Sequence, residues 1–388
     1  MSSTEKLLEV FIGPQHPTSG HTRFIVKLDG DIIVDFIPDL GWVHRTIEKI
    51  AETKVYIQII PLIERQAILD SANHNLGYIL ALEKLLNVEA PQRAKYLRTL
   101  ICELNRIASH LYAIGIHGIM LGSSTAFMWA FADREPFLEL MQMMAGARLT
   151  YSYMIPGGVR GDIPDGFQEK AKKALTFMRR KLKDYFDLFV YNPVTLNRLE
   201  GVGVIATEDA IKLGLVGPNL RASGVDYDVR KVEPYAAYSE INFKVARREE
   251  GDSLARFLIR FDEIQNSMDI IEQILDRIPS GALLANPYLT KLIGFKKDLL
   301  NKGVVRLPPH FIALKAGEGD YVGRVECSRG EAIYHIVSDG SIKPYRFRLI
   351  TPSFRNVTAF KHALIGHRLA DIPAVYGSLD YFPPEADR

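Results

Sequence analysis

The sequence predicts an α+β fold, with a central bundle of long helices and small antiparallel sheets from the N-terminal and C-terminal regions. Apolar and polar residues alternate around turn residues near both ends of the chain, which is typical of strands. Between about 44 and 278, apolar residues instead recur at three- and four-residue spacing, which is typical of helices. We expect all 388 residues to form a single domain. Its parts are an N-terminal hairpin region (1–40), a helical core (41–300) and a C-terminal strand region (301–388).

The N-terminal region contains a predicted β-hairpin within residues 23–37. The runs FIVKL and IIVDFI flank a DGD turn, and another short apolar run covers 7–12. The turn-rich stretch IGPQHPTSGHTRF carries His16 and His21, so two imidazoles lie in one loop just before the hairpin.

Helical periodicity dominates the middle of the chain. It predicts long helices over 44–59, 63–86, 91–117, 127–149, 165–189 and 251–278, and a short one over 207–213. Pro61, Pro91 and Pro136 are expected near helix starts or breaks, because proline lacks the amide hydrogen that a helix interior uses. The uncharged stretch 111–131 includes His117, glycines and a polar SST, so it predicts a buried helix–turn–helix rather than a membrane span.

After about residue 303 the alternating pattern returns. The runs YVGRVECS, AIYHIVSDG and KPYRFRLI predict three strands. The SDGS turn at 338–341 predicts that the last two form a hairpin.

The bulk composition excludes several classes of protein. A formal net charge of +2, from 48 basic and 46 acidic residues, gives no electrostatic reason to expect nucleic acid as a partner. Cys102 and Cys327 are too few for a disulfide framework or a four-cysteine metal site, and free thiols favour an intracellular, reducing compartment. The start MSSTEKLLEVF lacks the features of a signal peptide, and no segment has the length of a membrane span.

Individual histidines and arginines have structural as well as functional interpretations. His16 and His21 lie five residues apart, but a zinc site would need further ligands, so we expect buried or capping histidines and no metal site. Arg65 lies in the apolar run IIPLIERQAILD. We therefore expect it to be buried and paired with Glu64, Asp70 or a negative group outside the chain.

Two further features leave their function open. Tyr78 follows Gly77, which permits close approach of a backbone or a ligand, but a tyrosine on a helix is usually part of the core. The loop LRASGVDYDVRK at 220–231 predicts a segment held by ion pairs, with a pair of catalytic carboxylates as the alternative. No phosphate loop, dinucleotide fingerprint or nucleophile elbow is present in the sequence.

Several stretches resemble one family over nearly the whole chain. They are GPQHP (13–17), HRTIEK (44–49), YIQIIPLIER (56–65), YILALEKLL (78–86), FADRE (131–135), YMIPGGVRGDIP (153–164), GVGVI (201–205), LRASGVDYDVRK (220–231) and SDGSIKPYRFRLITPSF (338–354). In this order they resemble the large quinone-site subunit of respiratory complex I, the NADH-quinone oxidoreductase.

The resemblance implies a fold like that of the nickel–iron hydrogenase large subunit. Those enzymes hold their metals with two pairs of cysteines, which would fall here at Ala67 and Asp70 and at Phe382 and Glu385. These side chains cannot form a thiolate cage, so a hydrogenase is excluded. The resemblance implies that the chain itself binds no metal or cluster.

In the family the corresponding cavity binds a quinone headgroup. The resemblance therefore implies that Tyr78 and His21 are catalytic, and that His16 and Met120 also line the quinone site. A quinone that accepts two electrons becomes basic at both oxygens and needs O–H or N–H donors, which these groups supply. The family loop HPxxHG reads HPTSGHTR here, which shifts His21, and the family aspartate that partners the histidine is replaced by Met120.

Three arginines are implied to lie near an iron–sulfur cluster carried by a neighbouring subunit. They are Arg45, Arg65 and Arg160, the last in place of a family histidine. Positive charge there would raise the reduction potential of the cluster.

The resemblance implies a quinone-binding subunit of a membrane-associated, complex I-like oxidoreductase and translocase that is not active alone. Electrons would pass from the iron–sulfur small subunit to quinone, coupled to ion translocation by partner subunits. Expected partners also include other peripheral-arm subunits and a membrane-arm subunit at the quinone channel, with a peripheral location on the cytoplasmic side of the cell membrane. Two alternatives stay open: a structural or coupling subunit without quinone chemistry, and a reductase for another acceptor such as polysulfide. The upstream donor, NADH or ferredoxin, would be bound by other subunits.

Overall fold

A computed structural model describes residues 7–16, 20–285 and 316–388. It confirms the predicted fold class, since long helices occupy the middle of the chain and small antiparallel sheets form near both ends. The prediction of a single domain stays a prediction.

The strands of the described residues form four small antiparallel sheets. Their bounds are Leu8–Ile12 (β1), Gln15–His16 (β2), Gly20–His21 (β3), Arg23–Asp29 (β4), Ile32–Asp39 (β5), Met154–Ile155 (β6), Gly158–Val159 (β7), Glu318–Cys327 (β8), Gly330–Asp339 (β9) and Arg346–Ile350 (β10).

Both predicted hairpins are confirmed. The N-terminal sheet has the order β1–β4–β5, and Phe24, Val26 and Leu28 alternate inward along β4 as a two-residue period requires. The C-terminal sheet has the order β10–β9–β8, and the SDGS turn joins β9 to β10.

The long helices line the first of two hydrophobic clusters, and several short helices pack on the second. Their bounds are Ile47–Thr53 (α1), Tyr56–Gln66 (α2), Ser71–Leu86 (α3), Gln92–Met120 (α4), Ser124–Ala145 (α5), Phe167–Tyr185 (α6), Pro193–Leu199 (α7), Thr207–Lys212 (α8), Pro218–Arg221 (α9), Val229–Val232 (α10), Ser253–Arg277 (α11), Pro352–Asn356 (α12), Ala359–Leu364 (α13), Ile372–Leu379 (α14) and Pro383–Asp387 (α15). The long helix α4 packs against α3, α5, α11 and α14, and so forms the axis of the bundle. Within the described residues, no helix is both long enough and apolar enough to cross a bilayer.

Four helix predictions differ in detail from the structure. The predicted helix 44–59 is broken because Lys54 and Val55 adopt extended backbone, and 63–86 is broken at Ala67 before a 3₁₀ turn. The expected breaks at Pro61 and Pro136 are wrong, because α2 continues through the first proline and α5 through the second. The buried residues on both sides of each proline stabilise the helix and offset the loss of one hydrogen bond.

The C-terminal sheet lies close against α3 through a pair of glycines. A methyl group on Gly323 of β8 would lie 2.3 Å from the carbonyl oxygen of Gly77 and 2.7 Å from the backbone nitrogen of Ala81. The second cluster joins the N-terminal sheet to α13 and α14 through aromatic rings in contact, including Phe24, Phe36 and Phe360. The two sheets therefore pack on different parts of the helical bundle.

We predict that Gly323→Ala lowers the free energy of unfolding by about 1–3 kcal/mol, because backbone atoms block the added methyl group. Gly317→Ala is the matched control, since that glycine precedes the same strand and no atom lies within 4 Å of the methyl position. Thermal unfolding of both variants checks this. Equal midpoints would contradict the close contact between helix and sheet.

Candidate functional site

Tyr78 is held in the core by helix α3. Its side chain is fully buried, and its hydroxyl donates a 2.7 Å hydrogen bond to the carbonyl oxygen of Tyr56. Its ring meets Phe347 of β10 edge-on, with 5.9 Å between ring centroids. Burial raises the pKa of Tyr78 well above its usual value, so the phenol is a neutral hydrogen-bond donor.

His21 lies on the short ribbon of β2 and β3, where it pairs with Gln15. Its side chain is exposed, whereas the side chain of His16 and residues 17–19 lie outside the described part of the chain. Met120 ends α4, half-buried against the second hydrophobic cluster, while Tyr78 belongs to the first. No hydrogen bond or ring contact joins Tyr78 to His21 among the described residues. Among the described side chains, the structure therefore does not bring Tyr78 into contact with His21 or Met120.

The three predicted arginines do lie around one end of helix α2. Arg45 donates hydrogen bonds to the carbonyl oxygens of Arg65 and Gln66, at 2.8 and 3.2 Å. Arg160 donates to the carbonyl oxygen of Ser152, at 3.3 Å. We call Arg45, Arg65 and Arg160 the arginine patch.

A buried carboxylate lies behind this patch. Both oxygens of Glu64 accept hydrogen bonds from the backbone nitrogen of Ser152, at 2.7 and 2.8 Å, and Asn75 donates another at 2.7 Å. Burial raises the pKa of Glu64 to about 7 despite these donors. The patch therefore surrounds a group that can gain or lose a proton near neutral pH.

The expectation that Arg65 is buried is wrong. Its side chain is exposed, and its guanidinium donates a 2.8 Å hydrogen bond back to the carbonyl oxygen of Pro61, one helical turn earlier. The neighbouring Glu64 takes the inward position instead. An apolar run on a helix does not by itself say which of two adjacent polar residues faces the core.

One position from each hydrogenase cysteine pair, Asp70 and Glu385, lies in a buried polar cluster at the junction of α2 and α3. Nε2 of His74 is 2.9 Å from the Glu385 carboxylate near the chain end, and Nδ1 is 2.5 Å from the Tyr334 hydroxyl of β9. Asp70 accepts a 2.5 Å hydrogen bond from the backbone nitrogen of Ser328. These residues are fully buried, so three distant segments meet in one polar cluster.

Charge balance holds this cluster together. Burial alone would raise the pKa of Asp70, but the neighbouring His74 and Arg106 outweigh burial and lower that pKa. Burial, followed by the nearby carboxylates of Asp70 and Glu385, raises the pKa of the Cys327 thiol well above its usual value. Cys327 therefore remains a thiol unless a cation approaches it.

The cluster does not fit a nickel–iron centre. The four cysteine positions hold one methyl group (Ala67), one aromatic ring (Phe382) and two carboxylates (Asp70 and Glu385). A nickel–iron centre needs a cage of soft thiolate ligands, which this set cannot provide.

The loop 220–231 is held by buried ion pairs, as the sequence predicts. Arg221 contacts Glu326 at 2.6 Å and also pairs with Glu263, and Arg230 contacts Asp228 at 2.6 Å. Burial raises the pKa of Glu326 to about 7, although Arg221 opposes the shift. This network joins the loop to α11 and β8 and is a structural core.

Sequence reasoning missed the grouping of Asp70, His74 and Cys327. Their potential ligand atoms all lie within 4.8 Å of one another. The four-residue spacing of Asp70 and His74 was a usable signal, because it places both near one helix face. Cys327 is too far along the chain to be associated with them from sequence.

Known proteins resemble this chain along its whole length. In Rhizobium etli, the second D-type subunit of NADH-quinone oxidoreductase is 41% identical over 393 residues, covering 100% of this chain and 96% of the relative. The D-type subunit from Geotalea uraniireducens is 40% identical, with 100% of both chains covered. Among solved structures, a chain of an archaeal respiratory membrane complex, the membrane-bound sulfane sulfur reductase, has a TM-score of 0.90 and 37% identity, with 100% of both chains covered.

A family model points the same way. The model described as respiratory-chain NADH dehydrogenase, 49 Kd subunit, matches residues 120–388. Together with the full-length relatives, this match shows that the chain belongs to the family of the 49 Kd subunit of respiratory-chain NADH dehydrogenase, which includes the D-type subunits of NADH-quinone oxidoreductase, and is a subunit of an oxidoreductase.

Proposed function

We propose that this chain is the quinone-site subunit of a membrane-bound, complex I-like oxidoreductase. It receives electrons from an iron–sulfur cluster on a neighbouring subunit and holds the quinone that accepts them, while membrane-arm partners couple the reaction to ion translocation. The subunit sits peripherally on the cytoplasmic side, in contact with other peripheral-arm subunits. The observation that carries this proposal is the full-length likeness to relatives named as subunits of NADH-quinone oxidoreductase.

Quinone reduction gives Tyr78 and His21 defined tasks. Two-electron reduction makes both quinone oxygens basic, and each needs a positioned hydrogen-bond donor. Tyr78 supplies a neutral O–H, and His21 supplies an imidazole N–H. His16 and Met120 complete the lining of the site.

The site requires rearrangement before it can bind quinone. The Tyr78 hydroxyl already donates to the Tyr56 carbonyl oxygen, and the His21 side chain faces solvent. The quinone oxygen must replace the Tyr56 carbonyl as acceptor, and the β2–β3 ribbon must fold inward. Loop rearrangements of this kind occur in a substantial minority of complexes when a partner binds.

The arginine patch is suited to the electron-entry side. Arg65 is exposed and has no carboxylate within salt-bridge distance in the described residues, so its charge is available to a neighbouring subunit. A fixed positive charge beside a reduced cluster stabilises the added electron. The patch therefore favours electron arrival at this end of α2.

Sulfane sulfur reduction is the second candidate function. It is supported by the similarity to a chain of the archaeal sulfane sulfur reductase, and by Met120, which removes the acid that would charge the histidine. The purified assembly distinguishes the candidates when it is assayed with quinone and with polysulfide under the same electron donor. We expect faster quinone turnover that a quinone analogue inhibits. Turnover with polysulfide alone would overturn the proposal, and turnover with neither would favour a structural subunit.

We predict that Tyr78→Phe leaves the assembly intact and lowers quinone turnover by about 10²-fold, because a positioned proton donor is lost. Tyr153→Phe is the matched control, since this tyrosine is also buried and its hydroxyl also donates to a backbone carbonyl, at 2.6 Å. Steady-state turnover with the native quinone checks both. If both variants lose the same activity, or neither does, Tyr78 has no specific role.

We predict that Arg65→Gln lowers the midpoint potential of the nearest cluster, by an amount on the order of tens of millivolts, because a cation is removed. Arg180→Gln, which changes an exposed arginine on α6 outside the patch, should leave that potential unchanged. Potentiometric titration followed by electron paramagnetic resonance measures both. Identical potentials in the wild type and Arg65→Gln would remove the patch from the electron-entry side.

A further inference from the structure

Asp70, His74 and Cys327 form a cluster that quinone chemistry does not require. Asp70 precedes helix α3, His74 lies one turn along it, and Cys327 ends strand β8. Each offers one ligand atom, and these atoms all lie within 4.8 Å of one another. All three side chains have no solvent exposure.

The donor types match one class of metal ion. A carboxylate oxygen, an imidazole nitrogen and a thiolate sulfur are the ligands that zinc and similar borderline divalent ions accept. A thiolate and a carboxylate together carry two negative charges, which a dication neutralises. The ion and its three ligands would therefore carry no net charge together, which lowers the cost of burying the carboxylate and the thiolate.

The surroundings of His74 resemble the outer shell of a metal site. Ring nitrogen Nε2 is 2.9 Å from the Glu385 carboxylate, and a carboxylate at this position fixes the tautomer of a metal-binding histidine. This leaves Nδ1 to bind a metal. At present Nδ1 is paired with the Tyr334 hydroxyl, at 2.5 Å. A metal ion at Nδ1 would either displace this hydroxyl or take it as a fourth ligand.

The thiol of Cys327 is the remaining indication. It makes no hydrogen bond in the described part of the chain, although polar groups surround it. Cys102, the other cysteine, is also buried but does not belong to the three-ligand group. The two cysteines thus differ in surroundings rather than in exposure.

We propose that Asp70, His74 and Cys327 bind one divalent transition-metal ion, zinc in the first place. Binding releases the thiol proton of Cys327 and fills the point where α3, β8 and the chain end meet. Because the site is fully enclosed, the ion enters during folding or assembly. The ion joins these segments independently of which acceptor the complex reduces.

The test is the metal content of the intact assembly, purified from cells supplied with zinc and washed with chelator. Mass spectrometry of the metals compares the wild type, Cys327→Ser and Cys102→Ser. We expect Cys327→Ser to contain one zinc fewer per complex, and Cys102→Ser to retain the zinc content of the wild type. Equal zinc in the wild type and Cys327→Ser, or equal loss in both variants, overturns the proposal.

A second measurement applies even where Cys327→Ser fails to assemble. The zinc K-edge X-ray absorption spectrum of the wild-type assembly should show zinc bound to one sulfur ligand together with nitrogen and oxygen ligands, and Cys102→Ser should give the same spectrum. Absence of this sulfur ligand from the wild type, or its loss in Cys102→Ser, overturns the proposal. Quinone turnover plays no part in either readout, so the metal proposal and the proposed function fail separately.

Discussion

The fold depends on how the chain compensates buried charge at one junction. Asp70 and His74 come from the α2–α3 junction and Glu385 from near the chain end, and all three are buried without solvent. His74 is hydrogen-bonded to Glu385, and Asp70 accepts a hydrogen bond from the backbone nitrogen of Ser328. A buried carboxylate that loses its partner costs several kilocalories per mole, so these contacts fix where the segments meet. Arg45 strengthens the same junction, because it donates to the carbonyl oxygens of Arg65 and Pro384. Arg45 of the arginine patch is therefore anchored next to the buried cluster.

The sequence predicted those parts of the fold whose signal is local. The two hairpins and helix α4 follow from apolar periods of two and about 3.6, which depend on near neighbours alone. The break at Ala67 was missed because apolar residues continue through it, and its cause is tertiary: Asp70 must turn towards Ser328. The prediction that Arg65 is buried failed for the same reason. Glu64 faces the core instead because it accepts a hydrogen bond from the backbone of Ser152, which lies far along the chain.

The candidate site was predicted only in part. Similarity of short motifs selected three arginines that border one helix end, while their position beside a cluster stays a prediction. It could not show that the Tyr78 hydroxyl is bound to a carbonyl oxygen, since that depends on how tightly α3 packs against its neighbours. Close packing has opposite consequences for the two proposed sites. The cluster of Asp70, His74 and Cys327 is already enclosed, as an ion site requires, whereas the acceptor site at Tyr78 must open before it binds quinone.

The central claim is that Tyr78 exchanges its internal partner for an external acceptor. The most direct measurement is a density map of the assembled complex with a quinone analogue bound. Our account predicts the analogue's oxygen within hydrogen-bond distance of the Tyr78 hydroxyl, which has left the Tyr56 carbonyl. A map in which Tyr78 keeps that carbonyl, with the analogue bound elsewhere, would contradict it.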